Sequence, residues 1–198
     1  MSDAPDQARA IRHSLNEITR NVLEHARGAP AFVCAQYYKK AGRVSIGVAD
    51  CGCGIKESLS NNCNLSSDRE AVIAALKPHV TGARYIGMYG ATENAGAGLF
   101  YTRSLAKISG EYFAIVSGNT AYRLRRRQPE SLFFYGDPTH ERHDLWDSLL
   151  PWKGTIVAID IGIREFDYTR AMDLIGQAFN APPAGRAQSR KRPAIKFT

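Results

Sequence analysis

Two strand-like runs joined by a short turn constrain the fold of this chain more than any other feature of its sequence. The runs cover residues 32–38 and 44–49, and the second alternates as VSIGVA. Parallel neighbours need a crossover of a dozen or more residues, whereas five residues suit a hairpin. Since later strand-like runs are also joined by short turns, we expect an antiparallel or mixed sheet.

Helical periodicity accounts for much of the remaining chain. Apolar residues recur every three or four positions in residues 7–27, which places them on one helix face. The same reasoning predicts helices at 68–76, 98–108 and 168–179, and alternation predicts strands at 112–117, 121–125 and 154–161. Residues 79–97 are predicted to be a long loop, and 126–153 receive no assignment. The element order predicts an α/β fold, a two-layer sandwich with helices on one sheet face.

Composition sets the size and the charge of the domain. The chain has 198 residues and 44% hydrophobic content, which suits one core-forming domain, expected at 1–183. Its net charge is +7, and residues 184–198 hold five basic and no acidic side chains. We interpret this segment as a flexible basic tail. Together with the arginines at 123–127 it allows contact with an acidic partner, although no signature of a dedicated nucleic-acid module is present.

Targeting signals are not recognisable in the sequence. No apolar run reaches the roughly 18 to 20 residues that span a bilayer, and the first 17 residues lack the apolar core of a signal peptide. We therefore expect a cytoplasmic protein without a membrane segment, whose four cysteines are thiols. Metal sites at Cys51, Cys53 and Cys63, or at His140 and His143, are less favoured than ordinary turn and surface positions.

A polar line runs along the first predicted helix. It comprises His13, Glu17, Asn21 and His25, each four residues from the last, so each step turns by about 40°. For an isolated E-x-x-x-N pattern, a solvated helix face is the usual explanation. The functional alternative is a helix that lines a nucleotide site. There a carboxylate can orient or deprotonate a nucleophile, and an Asn amide oxygen can bind Mg²⁺.

Two glycine-containing segments could complete such a site. The first is Asp50-Cys51-Gly52-Cys53-Gly54-Ile55, directly after a strand, where Asp50 can accept a hydrogen bond from an exocyclic amine such as N6 of adenine. The second is Gly96-Ala97-Gly98-Leu99, where backbone N–H groups at a helix start favour phosphate. Each has an ordinary alternative, a strand-ending turn for the first and a flexible loop for the second. The second is not a Walker A loop.

In combination, and with Gly154-Thr155 before a later strand, these segments resemble the motifs of the GHKL superfamily, which includes gyrase B, the heat-shock chaperone, histidine kinases and MutL. The resemblance covers about residues 8–161. The family's N box is matched by Glu17, Asn21, His25 and Ala26. Its first glycine box is matched by Asp50, Gly52, Gly54 and Ile55, its second by Gly96, Gly98 and Leu99, and its third more loosely by Gly154 and Thr155. The chain is most similar to small stand-alone bacterial ATP-binding proteins of the histidine-kinase and anti-sigma-factor type.

The resemblance implies a Bergerat-type fold that binds ATP and Mg²⁺ between the N-box helix and a mobile lid. It implies that Asn21 binds Mg²⁺, that Glu17 is the catalytic base or water-orienting group, and that Asp50 reads the adenine amine. Gly52, Gly54 and Ile55 would shape the adenine pocket, Gly96, Gly98 and Leu99 would form the phosphate end, and Thr155 would support Asp50 or a water near the base.

The implied function is an ATP–Mg²⁺-binding regulatory protein, either a protein kinase or a slow ATPase in bacterial signalling. A protein partner, STAS-like or of another signalling type, and a homodimer are both compatible with it. One alternative is an ATP-gated interaction module without required turnover, and another is a nucleic-acid-binding protein with degenerate ATP motifs.

Two departures from the family pattern accompany the resemblance. Glu24 stands where many histidine kinases have Lys or Arg, so a phosphate-facing cation would come from Arg20, Arg84 or neither. In addition, the N box lies almost at the start of the sequence with no phosphoacceptor helix before it, so a complete sensor kinase is not expected.

Overall fold

The computed structural model describes residues 6–26, 28–80, 98–126, 135–162 and 167–180. Most of the predicted lid and the whole basic tail lie outside these ranges. The described helices are α1 (Asp6–His25), α2 (Gly54–Leu59), α3 (Asp68–Ala75), α4 (Gly98–Ile108) and α5 (Tyr168–Phe179). The described strands are β1 (Ala31–Tyr38), β2 (Arg43–Asp50), β3 (Phe113–Gly118), β4 (Thr120–Leu124), β5 (His143–Trp146) and β6 (Trp152–Gly162).

All six strands form one antiparallel sheet in the order β1-β2-β6-β3-β4-β5. Hairpins join β1 to β2 and β3 to β4, while β6, the last strand in sequence, inserts between β2 and β3. The prediction of an antiparallel or mixed sheet with helices is therefore confirmed, and the sheet is the antiparallel alternative.

Alternation along the central strands separates the core face of the sheet from the other face. In β2, the side chains of Ile46, Val48 and Asp50 are buried, and Ile46 and Val48 pair with Ile159 and Val157 of β6. These strand residues form one apolar core with residues from the helices. Full burial of a large aliphatic side chain contributes roughly 1.5–3 kcal/mol, so this shared core is a main source of stability.

Helix α4 lies deepest in the helix layer. It packs against α1, α5, β3 and β6, and its Phe100, Leu105 and Ala106 side chains are fully buried. The position of α4 matters for function because its first residue, Gly98, belongs to the predicted second glycine box. The start of this helix is thereby held beside α1.

Two of the helices and strands named above were absent from the sequence prediction. Residues 54–59 form α2 in a segment predicted as loop, and β5 lies in the unassigned stretch 126–153. Beside β5, the guanidinium groups of Arg123 and Arg125 both bind the Asp144 carboxylate, and Arg126 pairs with Glu111. Three of the four arginines at 123–127, which we call the basic cluster, are therefore paired with acids.

Candidate functional site

The predicted catalytic carboxylate lies against the first residue of α4. Glu17 is 6% exposed on the α1 face that packs on α4. A Cβ atom added at Gly98 would lie 2.5 Å from Glu17 Oε2, closer than real Cβ contacts allow. Glycine at this position thus leaves room for the Glu17 carboxylate beside the start of α4.

Arg20 adds a cation at the same place. Its Nη2 atom donates to Glu17 Oε2 at 2.5 Å, and it would lie 3.5 Å from a Cβ atom at Gly98. The arginine side chain is 38% exposed, so this ion pair orients Glu17 more than it stabilises the fold. Of the two cations considered from sequence, Arg20 lies at the α4 start, while Arg84 is outside the described residues.

Asn21 lies one helical turn beyond Glu17 and is half-buried. Its amide Nδ2 atom is buried, and it finds no hydrogen-bond partner in the described part of the chain. A buried donor left unpaired is unfavourable by roughly 1–3 kcal/mol. The amide nitrogen is a hydrogen-bond donor and the amide oxygen an acceptor, so this side chain can offer both to a ligand.

His13 begins the polar line, and like Asn21 it has a buried polar atom that lacks a hydrogen-bond partner in the part of the chain that the structure describes. Its Nε2 atom is buried without a hydrogen-bond partner among the described residues, and its ring packs 5.8 Å from that of Tyr101. Burial, and secondly the Arg20 charge, lower the pKa of His13. Burial likewise raises the pKa of Tyr101, and the Glu17 charge adds to the shift. The side chain of His25, the last member of the line, is outside the described residues.

The end of β2 forms the second part of the site. Asp50 is 7% exposed, and its Oδ1 atom accepts a hydrogen bond from the Gly52 backbone N–H at 2.8 Å. A Cβ atom at Gly52 would lie 2.6 Å from the Ala26 Cα atom and 2.9 Å from Asp50 Oδ1. The segment that follows β2 therefore packs directly on the end of α1.

A third close contact joins Gly154 to Asp50. Gly154 has a φ of +116°, and a Cβ atom there would lie 2.0 Å from the Asp50 carbonyl oxygen. Thr155 is half-buried and precedes Ile156, the partner of Ala49 at the end of β2. The structure thus brings Gly154 against Asp50, with Thr155 beside the same strand end.

Ser117 holds these loops together. Its Oγ atom donates to the Gly154 carbonyl at 2.9 Å and accepts from the Ile55 backbone N–H at 2.9 Å. Between them lies Gly54, whose φ is +75°, with its Cβ position 2.9 Å from Ser117 Oγ. Ile55 and Leu99 are apolar anchors, the first buried in the core and the second packed against it.

Sequence reasoning missed Ser117 and also Trp152, whose indole Nε1 donates to the Asp50 carbonyl at 3.0 Å. Neither residue carries a local signal, because each acts through a pairing that only the folded sheet creates. Gly96, the remaining predicted phosphate contact, lies outside the described residues.

Within the described ranges, no group of three or more His, Cys, Asp or Glu side chains could hold a metal ion. A Mg²⁺ ion in a nucleotide site needs no such cluster, because it keeps several waters and binds one or two protein groups plus phosphates. Among the described helices, none has the length and apolar character that a membrane crossing requires.

Comparison with family models and with curated proteins identifies no relative. No family model matches the chain, and no curated protein matches it significantly. The functional assignment therefore depends on the arrangement of the chain's own residues. That arrangement combines a carboxylate paired with a cation, an unpaired amide, a glycine at a helix start and a buried Asp at a strand end.

Proposed function

We propose that this protein is an ATP–Mg²⁺-binding regulatory protein of the GHKL type, with a Bergerat-type fold, that transfers or slowly hydrolyses the terminal phosphate. One observation carries the proposal. Three segments far apart in sequence meet around α1 and the end of β2: Gly98 on Glu17, Gly52 on Ala26, and Gly154 on Asp50. These glycines belong to the three segments whose motifs resemble the glycine boxes of that superfamily.

The geometry suggests how the nucleotide would lie. Glu17 and Ala26 are nine residues apart, so their contacts with Gly98 and Gly52 are separated by about 14 Å along the α1 axis. We infer that phosphates occupy the Gly98 end, where an α4 N-terminus and Arg20 favour anions, and that adenine occupies the Asp50 end. Asn21, between the two contacts, would hold Mg²⁺, which neutralises phosphate charge during transfer.

Asp50 has one carboxylate oxygen already engaged with the Gly52 N–H, which fixes the carboxylate plane. A carboxylate accepts hydrogen bonds but cannot donate them while ionised. It therefore suits the exocyclic amine of adenine and disfavours guanine, which presents a carbonyl at the equivalent position. ATP should bind more tightly than GTP.

Calorimetric titration with ATP and Mg²⁺ tests the site. A hydrogen bond to a charged group contributes roughly 1.5–3 kcal/mol, so Asp50→Ala should weaken ATP binding about 10- to 100-fold. The same substitution should leave GTP binding unchanged or tighter, because it removes the carboxylate that disfavours the guanine carbonyl. Asp147→Ala is the matched control, because that carboxylate is 47% exposed and binds Arg69 at the surface. Failure of the unaltered protein to bind ATP, or full affinity in Asp50→Ala, contradicts the proposal.

A second candidate function is the ATP-gated interaction module, in which binding recruits a protein partner and no turnover is required. The Glu17–Arg20 ion pair favours it, because the guanidinium already occupies one of the carboxylate oxygens that would otherwise orient a water. Glu17→Gln should retain ATP affinity under either proposal. Loss of phosphate release in this variant supports turnover, whereas no release by the unaltered protein with any partner supports the module.

Nucleic-acid binding through the basic cluster has less support. Arg123, Arg125 and Arg126 each pair with an acid, so phosphate contacts would first have to break these pairs. A signalling protein of small size, STAS-like or otherwise, remains our predicted partner.

A further inference from the structure

The two edges of the sheet differ in how they are protected against pairing with another strand. The β5 edge is four residues long, and Asp144 at its centre holds two arginines. Short length and charge are the usual devices that prevent edge-to-edge association. The β1 edge is eight residues long, reads AFVCAQYY, and contains neither a charge nor a proline.

Every residue of β1 is exposed, including four large apolar side chains. Val33 is 59% and Tyr37 56% exposed, and they lie on the core face of the sheet because they pair with Val48 and Val44. On the opposite face, Phe32 is 63% and Tyr38 38% exposed. The strand thus presents apolar area on both faces of an edge to which no other strand of the described residues is paired.

The hydrogen-bond pattern shows which backbone groups point outward. The Cys51 N–H donates to the Pro30 carbonyl at 3.0 Å, so this pair is of the hydrogen-bonded kind. Hydrogen-bonded and non-hydrogen-bonded pairs alternate along an antiparallel ladder. The N–H and C=O groups of Ala31, Val33, Ala35 and Tyr37 therefore face away from β2, toward the open edge.

We propose that β1 pairs antiparallel with β1 of a second copy of this chain, with Ala35 on the two-fold axis. In this register Ala35 faces Ala35, and Val33 faces Tyr37 of the other copy, as hydrogen-bonded pairs. Phe32 then faces Tyr38 and Cys34 faces Gln36. Six backbone hydrogen bonds form between these outward groups, and the two sheets become one of twelve strands.

The side chains of this register are complementary to themselves. A two-fold pairing sets each strand against its own sequence, so a charged edge would oppose like charges, which is destabilising. The uncharged β1 avoids this. It places an aromatic against an aromatic on one face and an aromatic against a β-branched residue on the other, and both pairings stabilise antiparallel strands. The small Ala35 at the axis lets the backbones approach.

Sedimentation equilibrium of the full chain tests the dimer. At a protein concentration of about 100 µM, we expect twice the monomer mass. V33K/Y37K places lysine opposite lysine and should yield a monomer, whereas V33E/Y37K places opposite charges together and should restore the dimer. The control L150K adds a charge at a side chain that is 94% exposed and should change nothing. A monomeric unaltered protein, or a dimer that V33K/Y37K leaves intact, overturns the proposal.

Disulfide trapping tests the register without weakening the strand. Cα atoms of a non-hydrogen-bonded pair lie about 4.5 Å apart, within reach of a disulfide. Q36C should therefore crosslink rapidly to Cys34 of the other copy under mild oxidant, and Q36C/C34S should not. Crosslinking of the unaltered protein through Cys34 itself would indicate a register shifted by two residues, with Cys34 on the axis, and would contradict the one centred on Ala35. No crosslink in Q36C also contradicts it.

Discussion

Gly154 is the position where one added carbon atom should damage the site most. Its φ of +116° lies in a region that L side chains rarely adopt, and a Cβ atom would lie 2.0 Å from the Asp50 carbonyl oxygen. A residue forced into left-handed backbone conformation loses roughly 1–2 kcal/mol, and overpacking adds typically 1–3 kcal/mol. The obstructing atom belongs to the backbone, so a rotamer change cannot relieve the clash.

We therefore expect Gly154→Ala to lower the free energy of unfolding by about 2–5 kcal/mol, which is roughly 4–20 °C in Tm for a chain of this size. Thermal unfolding followed by circular dichroism measures this. Gly176→Ala is the matched control, because no atom beyond the backbone of α5 itself lies within 4 Å of its Cβ position. The control should gain up to about 1 kcal/mol from helix propensity. A Gly154→Ala protein as stable as the unaltered one would refute the reasoning.

Two further predictions concern buried charges. Lys107 and Glu141 form an ion pair whose side chains are 7% and 5% exposed, so Glu141→Ala should lower the unfolding free energy by about 3–5 kcal/mol, measured by urea titration. Lys107→Met/Glu141→Leu should lower the unfolding free energy less than Glu141→Ala does. If the double variant loses as much free energy or more, an uncompensated buried charge is not the cause. His13 has a folded-state pKa below its ordinary 6.5, because burial and Arg20 disfavour the cation. Unfolding free energy should therefore fall as pH drops below about 6.5 and through the lowered pKa, since the unfolded chain binds the proton more readily. His13→Gln should flatten this pH dependence, and an identical pH profile in that variant would contradict it.

The parts of the fold that were predicted from sequence are those whose signal is local. The alternation VSIGVA indicated β2 because every second side chain enters the core, and α5 was predicted with the bounds that the structure shows. Strand β5 was not predicted, because its four residues carry two polar side chains and no clear alternation. Its support comes from Arg123 and Arg125, about twenty positions earlier, which bind Asp144 only after β4 and β5 pair.

The same distinction applies to the candidate site. Motif spacing indicated Glu17, Asp50 and the glycines, but it gave no reason to select Ser117, which joins Gly154 to Ile55 across 37 and 62 positions. Helix α2 was missed because it begins at Gly54 with a φ of +75°, a conformation that sequence reasoning assigned to a turn.

The site residues do not all support the nucleotide proposal equally. Gly52 and Gly154 each face a backbone atom that a Cβ would meet at 2.6 Å or less, so close packing alone explains why glycine is needed there. Those contacts account for the shape of the site and would exist without a ligand. Asn21 is different, because folding buries its amide nitrogen and supplies no partner among the described residues. Native proteins rarely leave such a group unpaired unless something outside the chain completes it. Within this site, the orphaned amide N–H therefore argues for a bound acceptor, such as a phosphate oxygen, more directly than the glycines do. Asn21→Leu should abolish ATP affinity in calorimetric titration while leaving the unfolding free energy unchanged or higher.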